Sequence, residues 1–215
     1  MSVTAIRRVP SPKNEPVKSY APGSPERAEL KARLQSMSGE RVDIPLVIDG
    51  QRVGTSHRAP VVSPHNHRHV IADAHDASPE HVQAAIDAAK RAQRQWASLP
   101  FEDRAAVILR AADLLTTKYR AEINAATMIG QSKTVFQSEI DAACELADFF
   151  RFNVAFAEDL IAEQPLSSDG MWNQTDYRPL EGFVYAISPF NFTAIGGNLV
   201  SAPALMGNVV VWKHP

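Results

Sequence analysis

The chain has 215 residues, with 22 Lys and Arg against 24 Asp and Glu, so its formal net charge is -2. That balance excludes a broad basic surface for nucleic acid, and a single cysteine, Cys144, excludes a disulfide framework or a cysteine-rich metal centre. Apolar residues make up 45% and charged residues 21%, the composition of a globular chain long enough to bury a core.

No apolar run of signal-peptide length opens the chain. Arg7 and Arg8 precede the first acidic residue, Glu15, which keeps a mitochondrial matrix location as the alternative to a cytoplasmic one. Residues 1 to about 27 hold five of the 15 prolines and read as an extended arm, taken to residue 40, with a short charged helix over Glu26–Ser36. Residues 41–215 read as one larger unit.

That unit begins with Leu46-Val-Ile48 and Arg52-Val53 on either side of Asp49-Gly50, a hairpin signal. Val61-Val62 and Val70-Ile71 predict two more strands around a polar loop containing His65, His67 and His69. The alternating histidines are a weak zinc pattern, with Arg68 among them and no Cys, Asp or Glu, so a solvated loop without metal is expected. Ser78 as N-cap and Pro79 open a helix that runs to Pro100, with Val82, Ala85, Ile86, Ala89 and Trp96 on one face. A second helix is expected from Phe101 to Tyr119, burying Ile108, Leu109, Ala112 and Leu115. A third is expected from Thr134 to Glu163, burying Ile140, Ala143, Ala147 and Phe150.

From Gly182 to Trp212 there is no charged residue, a span long enough for a bilayer. Pro189, Pro203, three asparagines and Gly196-Gly197 argue against a membrane helix. The segment divides instead into a strand over Gly182–Ile187, a helix over Thr193–Leu205 and a strand over Asn208–Trp212. That is one βαβ unit, hence an α/β fold with part of a parallel sheet.

Two runs carry a specific resemblance: Glu181-Gly-Phe-Val-Tyr-Ala-Ile-Ser-Pro-Phe-Asn-Phe-Thr193, and Pro203-Ala-Leu-Met-Gly-Asn-Val-Val-Val-Trp-Lys213. With them the chain resembles the aldehyde dehydrogenase superfamily from about Pro16 onward. The run Glu139-Ile-Asp-Ala-Ala-Cys-Glu-Leu-Ala-Asp-Phe-Phe-Arg-Phe-Asn153 brings it nearest the L-glutamate γ-semialdehyde (1-pyrroline-5-carboxylate) dehydrogenases. The resemblance implies an aldehyde dehydrogenase-like fold and NAD as cofactor. It also implies oxidation of L-glutamate γ-semialdehyde to L-glutamate in proline degradation, with homo-oligomeric full-length relatives. An aldehyde dehydrogenase of other specificity, and an inactive fragment or non-catalytic binding protein, are the alternatives. Family members run well beyond Lys213, where the nucleophilic Cys and general-base Glu would follow. The chain is therefore expected to be a truncated N-terminal part of the NAD-binding domain, inactive by itself.

Residue by residue, the resemblance makes Asn191 the oxyanion stabiliser. A side-chain amide aimed at developing negative charge suits that chemistry, whereas by itself an Asn after a proline is more often a turn residue. Ser188, Pro189, Phe190 and Lys213 are implied contacts of NAD, although a lysine at a strand end more often simply meets solvent. Phe192 and Glu145 are implied to face the aldehyde, with Glu145 otherwise one acid on a solvated helix face. Cys144 is not a nucleophile candidate: it sits at helical spacing with apolar residues and among Glu139, Asp141, Glu145 and Asp148, which would raise a thiol pKa. No phosphate-binding loop, dinucleotide glycine fingerprint or serine nucleophile elbow is present.

Overall fold

The computed structural model describes residues 8–214; Arg7, which entered the targeting argument, lies outside them. Helix α1 (Pro25–Ser38) is followed by strands β1 (Val42–Ile44), β2 (Leu46–Ile48), β3 (Gln51–Val53), β4 (Arg58–Ser63) and β5 (Asn66–His75). Next come helices α2 (Pro79–Ala97), α3 (Phe101–Thr116), α4 (Arg120–Gln131) and α5 (Val135–Ser138). A π-helical turn over Glu139–Glu145 joins α5 to α6 (Leu146–Ala162), and β6 (Val184–Ile187), α7 (Thr193–Leu205) and β7 (Val210–Lys213) complete the order.

The Asp49-Gly50 hairpin forms as expected between β2 and β3. Both turn residues have positive φ, 53° and 73°, which the tight turn demands and which Gly50 adopts without penalty. Strand β5 pairs antiparallel with β4 and parallel with β1. Asn66 to His69 therefore belong to a strand rather than to the expected loop, because the turn closes earlier, at Ser63–Asn66. The histidines diverge: His65 Nδ1 lies 2.8 Å from Ser132 Oγ, and His69 Nε2 lies 2.9 Å from the Ser38 carbonyl.

The long uncharged segment is a strand, a helix and a strand, with β6 and β7 parallel and in register from Val184 opposite Val210 to Ile187 opposite Lys213. Among the described residues no helix is long and apolar enough to cross a membrane. The α/β reading thus holds, and among the described residues the purely parallel sheet is this pair, β1 being the parallel partner of β5 in a mixed sheet.

The core lies between helices. Ala105 and Ile108 of α3, Val154 and Ala157 of α6 and Leu205 of α7 form one buried cluster; Ala112, Leu115, Leu146, Ala147 and Ala194 form a second. Small residues dominate because the helices approach closely. An added Cβ at Gly197 would sit 2.5 Å from Leu146 Cδ1 and 3.0 Å from its Cδ2. Overpacking of that kind costs about 1–3 kcal/mol, against about 1 kcal/mol gained in helix propensity. Gly197→Ala should therefore lower stability by about 1 kcal/mol in urea unfolding. A variant more stable than the parent would mean that Leu146 turns aside freely.

One helix is additional to those expected, and two of the expected helices differ in detail. Helix α4 was not anticipated, because three of its five buried residues are polar (Arg120, Asn124 and Thr127, beside Ala125 and Ile129) and apolar periodicity passes over such a face. The third helix does run from a Thr134–Gln137 capping box to Ala162, but not as one regular α-helix. The π-helical turn rotates its faces, so Ile140 is 40% exposed while Glu139 and Asp141 are buried. In α2, Ala88 is the buried residue and Val82 is half exposed.

The arm is clasped by charge as well as by packing. Glu139 accepts hydrogen bonds from the Lys18 amide (2.8 Å), the Tyr20 hydroxyl (2.7 Å), Asn124 Nδ2 (2.8 Å) and the Arg120 guanidinium. Arg120 also binds Glu15 and the Pro16 carbonyl (2.7 Å), and Arg151 pairs with Glu15 at 2.8 Å.

Candidate active site

In open α/β sheets the carboxyl ends of parallel strands are where ligand sites lie, and here those ends belong to β6 and β7. Because Ile187 pairs with Lys213, the next residue, Ser188, reaches across: its amide donates to the Lys213 carbonyl at 3.2 Å. The Ser188 hydroxyl is buried and accepts from the Trp212 indole N–H, which leaves its own proton to donate elsewhere. Lys213 is exposed. The chain then turns through half-buried Pro189, Phe190 (77% exposed), exposed Asn191 and Phe192 (41% exposed) before α7 begins at Thr193. Among the described residues Asn191 has no hydrogen-bond partner, so its amide points no donor at the protein itself.

The turn is held from outside. Phe192 provides no side-chain cap for α7; the carboxylate of Asp141, on the π-helical turn, does so instead. Its Oδ2 accepts the Thr193 amide at 3.1 Å and its Oδ1 the Ala194 amide at 3.0 Å, satisfying donors that a helix start leaves open. Lys133 Nζ pairs with the same carboxylate at 2.6 Å and lies 4.2 Å from the centre of the Phe192 ring. The Thr193 hydroxyl meets Thr127 Oγ1 and Gln131 Nε2, each at 2.9 Å.

Glu145 ends the π-helical turn, half-buried, with its carboxyl raised by burial and then by the Asp141 charge, against a smaller lowering by Lys133. Glu145 therefore shares the electrostatic surroundings of the Phe192 turn, which a helix face in open solvent would not. Cys144, the preceding residue, is buried towards the arm, with Sγ 3.5 Å from Arg120 Nη2 and 3.8 Å from Glu139 Oε1. Burial, then the Glu139 charge, pushes its thiol up to about 12, so it stays protonated and inert near neutral pH.

Reading the sequence missed Asp141, Lys133, Thr127 and Gln131. An acid that caps a helix more than 50 residues away leaves no local pattern, and only the fold reveals the contact.

Residues 52–215 match the aldehyde dehydrogenase family. The delta-1-pyrroline-5-carboxylate dehydrogenase of Agaricus bisporus is 53% identical over 211 residues, 97% of this chain and 39% of that protein. The mitochondrial enzyme of that name from Emericella nidulans is 55% identical over 97% of this chain and 37% of its own length. A crystal structure of the Mycobacterium tuberculosis delta-pyrroline-5-carboxylate dehydrogenase bound with NAD superposes with a TM-score of 0.97 at 54% identity, covering 99% of this chain and 40% of that one. The chain thus spans about 40% of the length of the proteins it matches.

Proposed function

The chain belongs to the aldehyde dehydrogenase family, and on that premise we propose that it supplies the oxyanion-stabilising amide and part of the NAD surface for oxidation of L-glutamate γ-semialdehyde to L-glutamate. The observation that carries the reading is the turn at the carboxyl ends of β6 and β7. It brings Ser188, Lys213 and an unengaged Asn191 amide to one edge, in a chain 54% identical to the matched part of an NAD-bound dehydrogenase.

The residues present fit NAD. A serine hydroxyl with a free proton and an exposed ammonium stand on adjacent strand ends, suited to ribose hydroxyls, while the first amides of α7 are already taken by Asp141 and offer nothing to a phosphate. When bound, NAD accepts the hydride released by the substrate. Lys213 and Ser188 hold its sugar, and the Pro189–Phe190 backbone shapes the turn beside it. Asn191 donates its amide hydrogens to the aldehyde oxygen as a thiolate attacks the carbonyl carbon, stabilising charge that exists only after attack begins. Phe192 packs against the substrate methylenes and Glu145 lies toward its polar end. The thiolate cannot be Cys144, the one cysteine present, so it belongs to the length that relatives have and this sequence does not contain.

The mitochondrial names of relatives from E. nidulans and human favour a mitochondrial place of action over the cytoplasm.

The test is to join this chain to the remaining length of a crystallised relative and follow NADH formation. Turnover of glutamate γ-semialdehyde well above that of simple aliphatic aldehydes is expected. A folded joined enzyme that prefers another aldehyde would overturn the substrate, and one that binds no NAD would overturn the cofactor surface.

A further inference from the structure

Asn191 makes no hydrogen bond among the described residues, yet its proposed work requires an amide fixed to within a fraction of an ångström. Its position must come from its neighbours. Two residues further on, α7 begins, and its first two amides end on Asp141 at 3.1 and 3.0 Å. Asp141 is buried, 3% exposed, and stands on the π-helical turn, which the Glu139–Arg120 pair fixes from its other side. Lys133 bridges the two parts by pairing with Asp141 while lying over the Phe192 ring.

Charge fits the same purpose. An uncompensated carboxylate this near the turn would oppose a developing oxyanion, and the Lys133 ammonium at 2.6 Å cancels it. The pair therefore anchors the turn while leaving little net field at Asn191.

We propose that Asp141, neutralised by Lys133, is a positioning residue for the oxyanion step: it tethers the start of α7 and thereby fixes the Asn191 amide. This rests on the functional reading above. It adds a residue that touches neither substrate nor cofactor.

The experiment uses the joined full-length enzyme. Asp141→Ala should lower kcat about tenfold to a hundredfold, as displacement of a reacting group does, with KM for NAD unchanged. Hydrogen exchange over residues 190–196 should rise about fivefold, as expected of a lost helix cap. Asp141→Asn retains one acceptor oxygen and should recover part of both losses, which keeps the test usable if the alanine variant folds poorly. Faster exchange with an unchanged kcat would reduce Asp141 to a structural cap, and unchanged exchange would remove the tether; either overturns the proposal alone. A parent enzyme without turnover would overturn the functional reading and the proposal with it.

Discussion

Replacing Arg120 with Met should destabilise the chain by about 3–5 kcal/mol, because it strands a buried carboxylate. The Met side chain refills most of the volume, so the effect is electrostatic rather than a cavity. Glu139 is fully buried and Arg120 is 4% exposed. With the guanidinium gone, Glu139 keeps only the Lys18 amide, the Tyr20 hydroxyl and Asn124, three neutral donors around a full negative charge. Whole domains are stable by about 5–15 kcal/mol, so the loss is a large fraction of the total. Urea unfolding at neutral pH measures it, and a variant within about 1 kcal/mol of the parent would mean that water reaches the site.

The same pair sets an acid limit. Burial alone would raise the Glu139 carboxyl, but the Arg120 hydrogen bonds, with those of Lys18, Tyr20 and Asn124, outweigh it and hold the group below its ordinary value of 4.5. A carboxyl lowered on folding contributes stability that is fully present above about pH 4.5 and is lost as pH falls through the lowered value. The parent chain should accordingly hold its stability down to that pH and weaken below it. In Arg120→Met the onset should move upward, since burial then acts with less opposition.

Asn191→Ala should lower kcat of the joined enzyme by about a hundredfold to a thousandfold, the loss seen when one oxyanion donor is removed. Because Asn191 is exposed and has no hydrogen-bond partner among the described residues, the melting temperature should hardly move. That separation of activity from stability is the diagnostic. Asn191→Asp keeps the shape but replaces a donor with an anion, and should be at least as damaging. A kcat within about threefold of the parent would take the oxyanion role away from Asn191. A large fall in stability without further loss of kcat would make it the turn residue that its place after Pro189-Phe190 also suits.

Which parts of this were legible in the sequence follows from where each signal resides. The hairpin at Asp49-Gly50, the start of α2 at Pro79 and the βαβ unit were legible because turn chemistry, capping and apolar runs are local. Helix α4 was not, since its buried face carries Arg120, Asn124 and Thr127, and these are buried only because Glu139 and Thr193 arrive from elsewhere in the chain. The π-helical turn was invisible for a related reason. It turns Glu139 and Asp141 inward at the expense of Ile140, and no propensity favours that until both acids have partners. The edge carrying Ser188, Asn191 and Lys213 was found through a family likeness, whereas the groups that hold the Asn191 turn emerged from geometry alone.

The clasp between the arm and the helices has a consequence for how the chain folds in time. Val9 bonds Glu158, Glu15 meets Asp148 and Arg151, and Lys18 and Tyr20 end on Glu139, at separations of 119 to 149 residues. During synthesis residues 9–20 must wait for α4, the π-helical turn and α6 to emerge in turn before these partners are complete, and contacts so distant along the chain form late. Residues 9–20 are thus among the last parts to settle, and their arrival is what closes Glu139 and Arg120 from water.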